Sequence, residues 1–550
     1  MVLDNPHFKF WPKGLPHKIK QSQLTLYQNL ACSAENYPNR EAVIYYGSVI
    51  SYRALFESVN SLGNFLNSFS TINPGDRIIL YMQNCPQFII SYYAILGVNC
   101  IIVPVNPMLA PTELNYIISD SAAKFIITAT ELLDKVFEAV EELKMNDVSI
   151  LVTAYSDLIN KKFNVKLPAD IKQRSPKKIA EKLYYWLDLS KLKNEKFKHS
   201  RRPTDLSVIP YTSGTTGKPK GCEHTNQSVN AVVEAYSRWL PLPDNSKILT
   251  SLPLFHVTGM QNSMNVPIFR ADTIVLMTRW NVKTALYLIQ RYKIKSWRSI
   301  TTSIIDLLSE FNPKHHDLSS LISIGGGGAR MPIEMAKKLK EITALDYIEA
   351  YGMTETMAPT HINPSHRPKL GSIGIPIFNV DARIIDLDSG KQLKTDCVGE
   401  LVVSGPQMFS GYWKDKEKTK VSFITLDNKK FLKTGDLGYF DSDGYFYIVD
   451  RLKRMISFSG FKVWPAEVEE VLYSHPDIKE ACVIAVPDQR TGEKVKAVIV
   501  LKKKSGVFTL RSLQTWCKSR MATYKIPKII ELRDELPKNR VGKILWRQVK

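Results

Sequence analysis

Tyr211-Thr-Ser-Gly-Thr-Thr-Gly-Lys-Pro-Lys-Gly221 follows a short apolar run, Leu206-Ser-Val-Ile-Pro210, that reads as a strand. Glycines at 214, 217 and 221 free the backbone, so that successive N–H groups can converge on an anion. Thr212, Ser213, Thr215 and Thr216 add hydroxyl donors, and Lys218 and Lys220 add positive charge. This is the composition of a phosphate cradle. It is not a Walker A loop: two residues separate Gly214 from Gly217-Lys218, where that motif has four, and Pro219 stands where Ser or Thr would be needed. A plain flexible loop would need neither the lysines nor this order.

Working outward, residues 22–150 alternate helical and strand patterns. Ser51 to Leu66 repeats apolar residues at helical spacing. Pro74-Gly-Asp76 is a turn and Arg77 to Tyr81 a strand. Pro86 opens a helix that ends near Gly97. Cys100 to Val105 reads as a strand, Pro111 starts a helix, and Ala123 to Ile127 is a strand again. This rhythm predicts parallel sheets covered by helices. Downstream, Leu252-Pro-Leu-Phe-His256 is read as ending a strand, with Gly259 after it. Ile322 to Gly325 is a strand running into Gly326, Gly327 and Gly328, where a flat ligand can approach the backbone. The strand Asp346 to Tyr351 leads into Tyr351-Gly-Met-Thr-Glu-Thr356. Gly399 to Gly405 and Gly411-Tyr-Trp413 read as a small β region, and Asp436 lies in a Thr-Gly-Asp turn suited to a ribose diol. Four of the five residues Asp450-Arg-Leu-Lys-Arg454 are charged, which marks an exposed connector. Beyond it come a helix at 464–472, strands at 480–486 and 495–501, and a helix at 510–520, an α+β pattern.

These motifs, in this order, make the chain resemble the adenylate-forming superfamily of acyl-CoA synthetases, luciferases and peptide-synthetase adenylation domains. The resemblance runs over nearly the whole length, and 155–202 is its least typical part. It implies an α/β fold: a large N-terminal domain of parallel βαβα sheets plus a small β region (1–450), a hinge (451–453) and a small mobile α+β lid (454–550). It implies ATP with Mg2+ and coenzyme A as co-substrates. The loop Thr212, Ser213, Gly214, Thr215, Thr216, Gly217 would hold phosphates, with Lys220 and Thr354 as further donors and Glu355 on the metal. Gly328, Ala329, Arg330 and Tyr351 would line the adenine site, Asp436 the ribose, and Arg451 the ribose or a phosphate. His256, Gly327 and Gly352 would line the acyl pocket. Lys453 would be the hinge, and Lys543 the adenylation catalyst. Ser459, Gly460 and Lys462 would shape the coenzyme A channel in the other lid position. Acetyl-CoA synthetases carry Trp at the position of Gly352, so the resemblance implies a pocket longer than acetate. A medium- or long-chain fatty acid is expected, with a coumarate-like aryl acid or a short hydroxy acid as alternatives.

Composition bounds these readings. A chain of 550 residues is too long for one core. Ile78 to Thr112 carries no charged residue, yet its Pro, Gln and Asn residues cut it into pieces too short to span ~30 Å of hydrocarbon. A buried helix and strand are expected there. Seven cysteines without a CxxC pair, and no apolar leader at the start, predict a cytoplasmic protein without disulfides. The formal charge is +21, which raises a non-catalytic nucleotide- or RNA-binding protein as the competing class. Lys543, Glu355 and Asp436 are all present, which argues against lost catalysis, and no zinc-finger or RNA-binding aromatic signature accompanies the charge. No nucleic-acid partner is expected, and homo-oligomerisation is left open. Fourteen Lys and Arg fall in 160–202 against four acids. The segment reads as a solvated basic insertion. Its alternative is peripheral contact with anionic lipid, through one apolar helix face made of Ile179, Leu183, Tyr184, Trp186 and Leu187.

Overall fold

The computed structural model describes residues 5–549, except 144–147, 160–170, 172–181, 187–198, 213–218, 241, 329, 452–453, 459–460, 489–491, 503–507, 519 and 539–543; at 451, 457, 461, 462 and 492 the backbone alone is described. The chain divides into two compact units. One contains 10–380 and 405–423; the other contains 1–9, 381–404 and 424–550.

The larger unit holds two extended sheets. In the seven-stranded sheet, Arg77–Tyr81 lies between Ile101–Pro104 and Phe125–Ala129, all parallel. In the nine-stranded sheet, Ser296–Ser299, Ser323–Gly327 and Tyr347–Tyr351 run parallel side by side. The expected α/β class is therefore the observed one. Parallel strands buried on both faces read as continuous apolar runs, and Phe125–Ala129 and Ser149–Thr153 are buried at every residue. The uncharged run 78–112 contains the helix Pro86–Gly97, which is also buried throughout. Its twelve residues are a core element, and among the described residues no helix is long and apolar enough to cross a membrane.

Two sequence expectations give way here. The strand before His256 is Lys247–Thr250, so residues 252–256 lie in the loop after it. Leu183–Tyr185 is not part of a helix. It is an edge strand, parallel to Ser149–Thr153. Leu183 is buried with Ile150 and Val136, and the Tyr184 ring meets Phe65 and Phe69 edge-on at 5.5 and 5.0 Å. Alternation of side chains across a strand sends these residues to opposite faces, so the single apolar helix face imagined for lipid contact does not exist. Ile179 and Leu187 lie outside the described residues.

The smaller unit contains a five-stranded antiparallel sheet built from Asp381–Ile385, Gly399–Ser404, Phe423–Leu426, Lys429–Phe440 and Phe446–Arg451. It is grouped with the C-terminal residues, not with the two large sheets. The C-terminal part is the expected α+β arrangement: Ile478–Asp488 pairs with Gly492–Leu501, and the helices Pro465–Tyr473 and Leu510–Cys517 contribute to one apolar core. Side chains flanking the expected hinge are tied to one another. Asp450 accepts a hydrogen bond from the Ala466 N–H at 2.7 Å, in the first turn of the helix Pro465–Tyr473, where a carboxylate is favoured by the helix dipole. Arg454 lies 3.8 Å from Asp450 and pairs with Glu469, which accepts from the Val483 N–H at 2.7 Å.

The edge-strand assignment predicts a stability cost from a position in the basic insertion. Leu183→Ala should lower unfolding stability by ~2–5 kcal/mol, the usual cost of truncating a buried leucine. A urea midpoint unchanged by that substitution would return Leu183 to the solvated surface.

Candidate active site

The feet of the candidate phosphate loop are zipped together. Tyr211–Thr212 pairs antiparallel with Lys220–Gly221, so Thr212 faces Lys220. Ser213 to Lys218, including Gly214, Thr215, Thr216 and Gly217, lie outside the described residues. Gly221 has a packing reason: a Cβ there would stand 2.6 Å from Ile209 Cγ2 and 3.2 Å from Trp413 Cβ. Tyr211 donates its hydroxyl to Asp120 at 2.5 Å, and burial with that carboxylate raises its pKa.

The segment 410–415 clamps this stem. The Trp413 N–H donates to the Gly221 carbonyl at 2.8 Å, the Glu223 N–H to Gly411 at 2.9 Å, and the Ser410 N–H to Glu223 at 2.9 Å. Asp415 lies 3.7 Å from Lys220 Nζ, which also stands 5.5 Å from the Tyr412 ring centre. The sequence had placed Gly411-Tyr412-Trp413 with the small β region. They belong instead to the larger unit, against the loop stem.

The same segment reaches Glu355. The strand Tyr347–Tyr351 ends in a tight helical turn, Thr354–Thr356, in which Glu355 is buried. The Tyr412 hydroxyl donates to Glu355 Oε1 at 2.8 Å, and the Phe409 N–H donates to the Glu355 carbonyl at 2.8 Å. Burial and the adjacent carboxylate raise the Tyr412 pKa, so the hydroxyl stays a donor. His224 completes the support. Its Nε2 is 2.8 Å from the Thr354 carbonyl, which can only accept, so the neutral ring carries its proton on Nε2. Full burial pushes the His224 pKa down to about 4. Neither His224 nor Tyr412 was singled out from the sequence. For His224 the only signal was nearness to the loop in sequence; Tyr412 had none, and a lone His or Tyr carries no tertiary address.

Gly352 lies between Tyr351 and this turn. A Cβ there would fall 2.8 Å from the Cα atoms of both Ala358 and Pro359. Backbone, and not free volume, occupies the place of its first side-chain atom. The Tyr351 ring stands edge-on to His361 at 5.9 Å. Beside it, Gly327 pairs with Ala350 across the sheet. Gly325 to Gly327 lie within the strand and do not follow it. A Cβ at Gly326 would be 1.8 Å from the Ser299 carbonyl, and one at Gly327 would be 2.3 Å from that of Ala350. Close strand approach thus accounts for these two glycines. Gly328, at φ +89°, turns the chain out. Ala329 lies outside the described residues, and Arg330 is exposed with its guanidinium against Gly371. Glu349, also unmarked by the sequence, is buried beneath, and burial raises its pKa to about 7 against the opposing pull of Arg330. His256 caps the short helix Val257–Met260 from an exposed position, with its Nδ1 accepting from the Thr258 N–H at 3.3 Å.

In the smaller unit, Asp436 is buried within the strand Lys429–Phe440, where a turn had been expected. The strand bulges there. Glu400 pairs with Leu437 and Val402 with Lys433, so the bulge carries Thr434 to Asp436, with Gly435 at φ +69°. Asp436 pairs across the sheet with Arg451. Lys462 is in the strand Phe461–Val463. Lys453, Ser459, Gly460 and Lys543 lie outside the described residues.

Among the described residues, no cluster of three or more His, Cys, Asp or Glu could cage a metal. Glu355 on the loop-side turn suits an ion that takes most of its ligands from phosphates and water, as Mg2+ does with ATP.

A family model described as AMP-binding enzyme matches residues 30–413, and one described as AMP-binding enzyme C-terminal domain matches 467–543. A long-chain-fatty-acid–CoA ligase of Bacillus subtilis is 34% identical, covering 100% of this chain and 98% of the relative. One of Yersinia pestis is 33% identical with the same coverage. The solved structure of o-succinylbenzoate coenzyme A synthetase from Bacillus subtilis, in complex with ATP and magnesium ion, matches at a TM-score of 0.79 and 26% identity, covering 96% of this chain and 99% of that one.

His224 makes stability pH-dependent. Its folded pKa of about 4 lies below the ordinary 6.5, so the unfolded chain binds the proton first and stability falls as pH drops from 6.5 towards 4. At ~1.4 kcal/mol per pKa unit the loss is ~3 kcal/mol. Chemical denaturation of the wild type and of His224→Gln across that range should show a shallower decline in the variant; parallel curves would mean that His224 is not buried neutral.

Proposed function

We infer that this chain, which belongs to the AMP-binding enzyme family, activates a medium- or long-chain fatty acid. It is an AMP-forming acid–thiol ligase. The carboxylate attacks the α-phosphate of ATP, pyrophosphate leaves, and the acyl-adenylate passes its acyl group to the thiol of coenzyme A with release of AMP. The fatty-acid assignment rests on the names of its full-length relatives. A reducing, cytoplasmic setting belongs to the same proposal, since all seven cysteines are free thiols.

The observation that carries the site assignment is the single segment 411–415 holding both Lys220 and Glu355. Charge spreads over phosphoryl oxygens in the transition state, so positioned donors do most of the work. We assign Thr212 to Gly217, Lys220 and Thr354 to the phosphates. Tyr351 and Gly328 to Arg330 are assigned to adenine, Asp436 to ribose, and Arg451 to ribose or a phosphate. His256, Gly327 and Gly352 are assigned to the acid. Glu355 would hold Mg2+, which when bound screens the phosphate charge. In this reading the expected domains 1–450 and 454–550 turn about Lys453. Lys543 then serves adenylation, while Ser459, Gly460 and Lys462 line the coenzyme A path.

Two experiments test these roles. Lys543→Ala should slow adenylate formation by about 10²–10³, the usual cost of one preorganised donor, yet still convert pre-made acyl-AMP to acyl-CoA. Gly460→Leu should release pyrophosphate but fail to transfer the acyl group. Equal loss of both half-reactions in each folded variant would refute the two-position lid. Separately, Tyr412→Phe frees Glu355 from its hydroxyl partner. The Mg2+ concentration for half-maximal pyrophosphate release should rise several-fold, with the ATP-independent transfer of pre-made acyl-AMP unchanged. An unaltered Mg2+ dependence would remove Glu355 from the metal.

A further inference from the structure

Among the described residues, Arg298 is a buried cation with no ion pair. It sits in the strand Ser296–Ser299, all of whose residues are buried, and is itself 2% exposed. Its neighbour Trp297 packs into the apolar cluster that includes Ile324 and Leu339. Alternation along the strand therefore sends Arg298 to the other face, where its guanidinium carbon lies 5.9 Å from the Tyr236 ring centre. Nη2 donates to Ser296 Oγ at 3.1 Å and to Ser323 Oγ. Nε and Nη1 have no hydrogen-bond partner among the described residues. Burying charged donors unpaired carries a large desolvation cost.

These donors border a cavity. Its polar lining includes Arg298, Tyr236, Asn262 and Ser296 together with Asp272, which Arg270 already neutralises at 2.7 Å, and Leu240 and Val266 are among its apolar walls. Its volume is about 20 Å³, room for one or two water-sized groups. The sheet makes space for the cation: Arg298 pairs with Gly325, whose Cβ would stand 2.5 Å from Nη1. Gly325 is two residues from Gly327, on the same face and ~7 Å along the strand. Gly327 is the residue assigned above to the acid.

We propose that Arg298 anchors a second carboxylate at the far end of the acyl substrate, so that the acid taken is an α,ω-dicarboxylic fatty acid in preference to a simple one. The inference rests on the fatty-acid–CoA ligase reading and sharpens its substrate class. A carboxylate there balances the guanidinium charge, which the Arg270–Asp272 pair leaves unmatched, and accepts from the idle donors. An apolar chain end at the same place would leave the guanidinium desolvated and unpaired.

The test is pyrophosphate release by the full chain with length-matched monocarboxylic and α,ω-dicarboxylic acids from four to sixteen carbons. At its best length the wild type should favour the dicarboxylate by at least tenfold in kcat/KM. Arg298→Met, similar in bulk and uncharged, should lose that preference through KM while keeping kcat for the monocarboxylate. Arg298→Lys, which keeps the charge with a shorter reach, should retain part of it and serves if the methionine variant does not fold. A wild type that prefers monocarboxylates at every length overturns the proposal, as does a folded variant with an unchanged ratio. Release with neither class of acid would instead sink the underlying ligase reading, and this proposal with it.

Discussion

The hydrogen bond from the Tyr412 hydroxyl to Glu355 is the contact on which the arrangement of the candidate site depends. Tyr412 is held by backbone pairing of 410–413 onto 221–223, beside the stem of the glycine loop. Glu355 is held by a turn at the end of the strand Tyr347–Tyr351, with His224 bonded to the adjacent carbonyl. One side chain thus ties the end of a strand to the foot of a loop more than a hundred residues away in sequence. Glu355 is buried and Tyr412 half-buried, so their hydrogen bond is made in a lowered dielectric, where it is stronger and where losing a partner costs more.

Glycine and burial set the second constraint. Gly326 and Gly327 let strands approach until a side chain would strike the neighbouring carbonyl. That close packing accounts for part of a pattern that composition alone assigns to ligand contact. Gly352 is similar: its place against Ala358 and Pro359 is sufficient reason for glycine, whatever the acid. Gly328 differs, because its positive φ and open surroundings serve chain direction at the mouth of the site.

The basic insertion shows how tertiary context overrides a local pattern. Apolar residues at 183, 184 and 186 among lysines fit a helix face by spacing. The exposed edge of a parallel sheet offered them backbone partners instead, and Leu183 buries itself there. The net charge of the chain says little about its partners when such a segment supplies nearly half of it.

The sequence by itself determined the fold class, the βαβ rhythm and most element positions. The strand Arg77–Tyr81, the helix from Pro86 to Gly97 and the start of the helix at Pro111 fall where Pro, Gly and apolar spacing put them, because these signals act within a few residues. It also marked Lys220, Glu355 and Asp436, through motif order. Only the tertiary structure decided which residues hold them. His224, Tyr412 and Asp415 have no local signature: their roles come from burial and from partners far along the chain, and desolvation is a property of the packed interior that no short window of sequence contains.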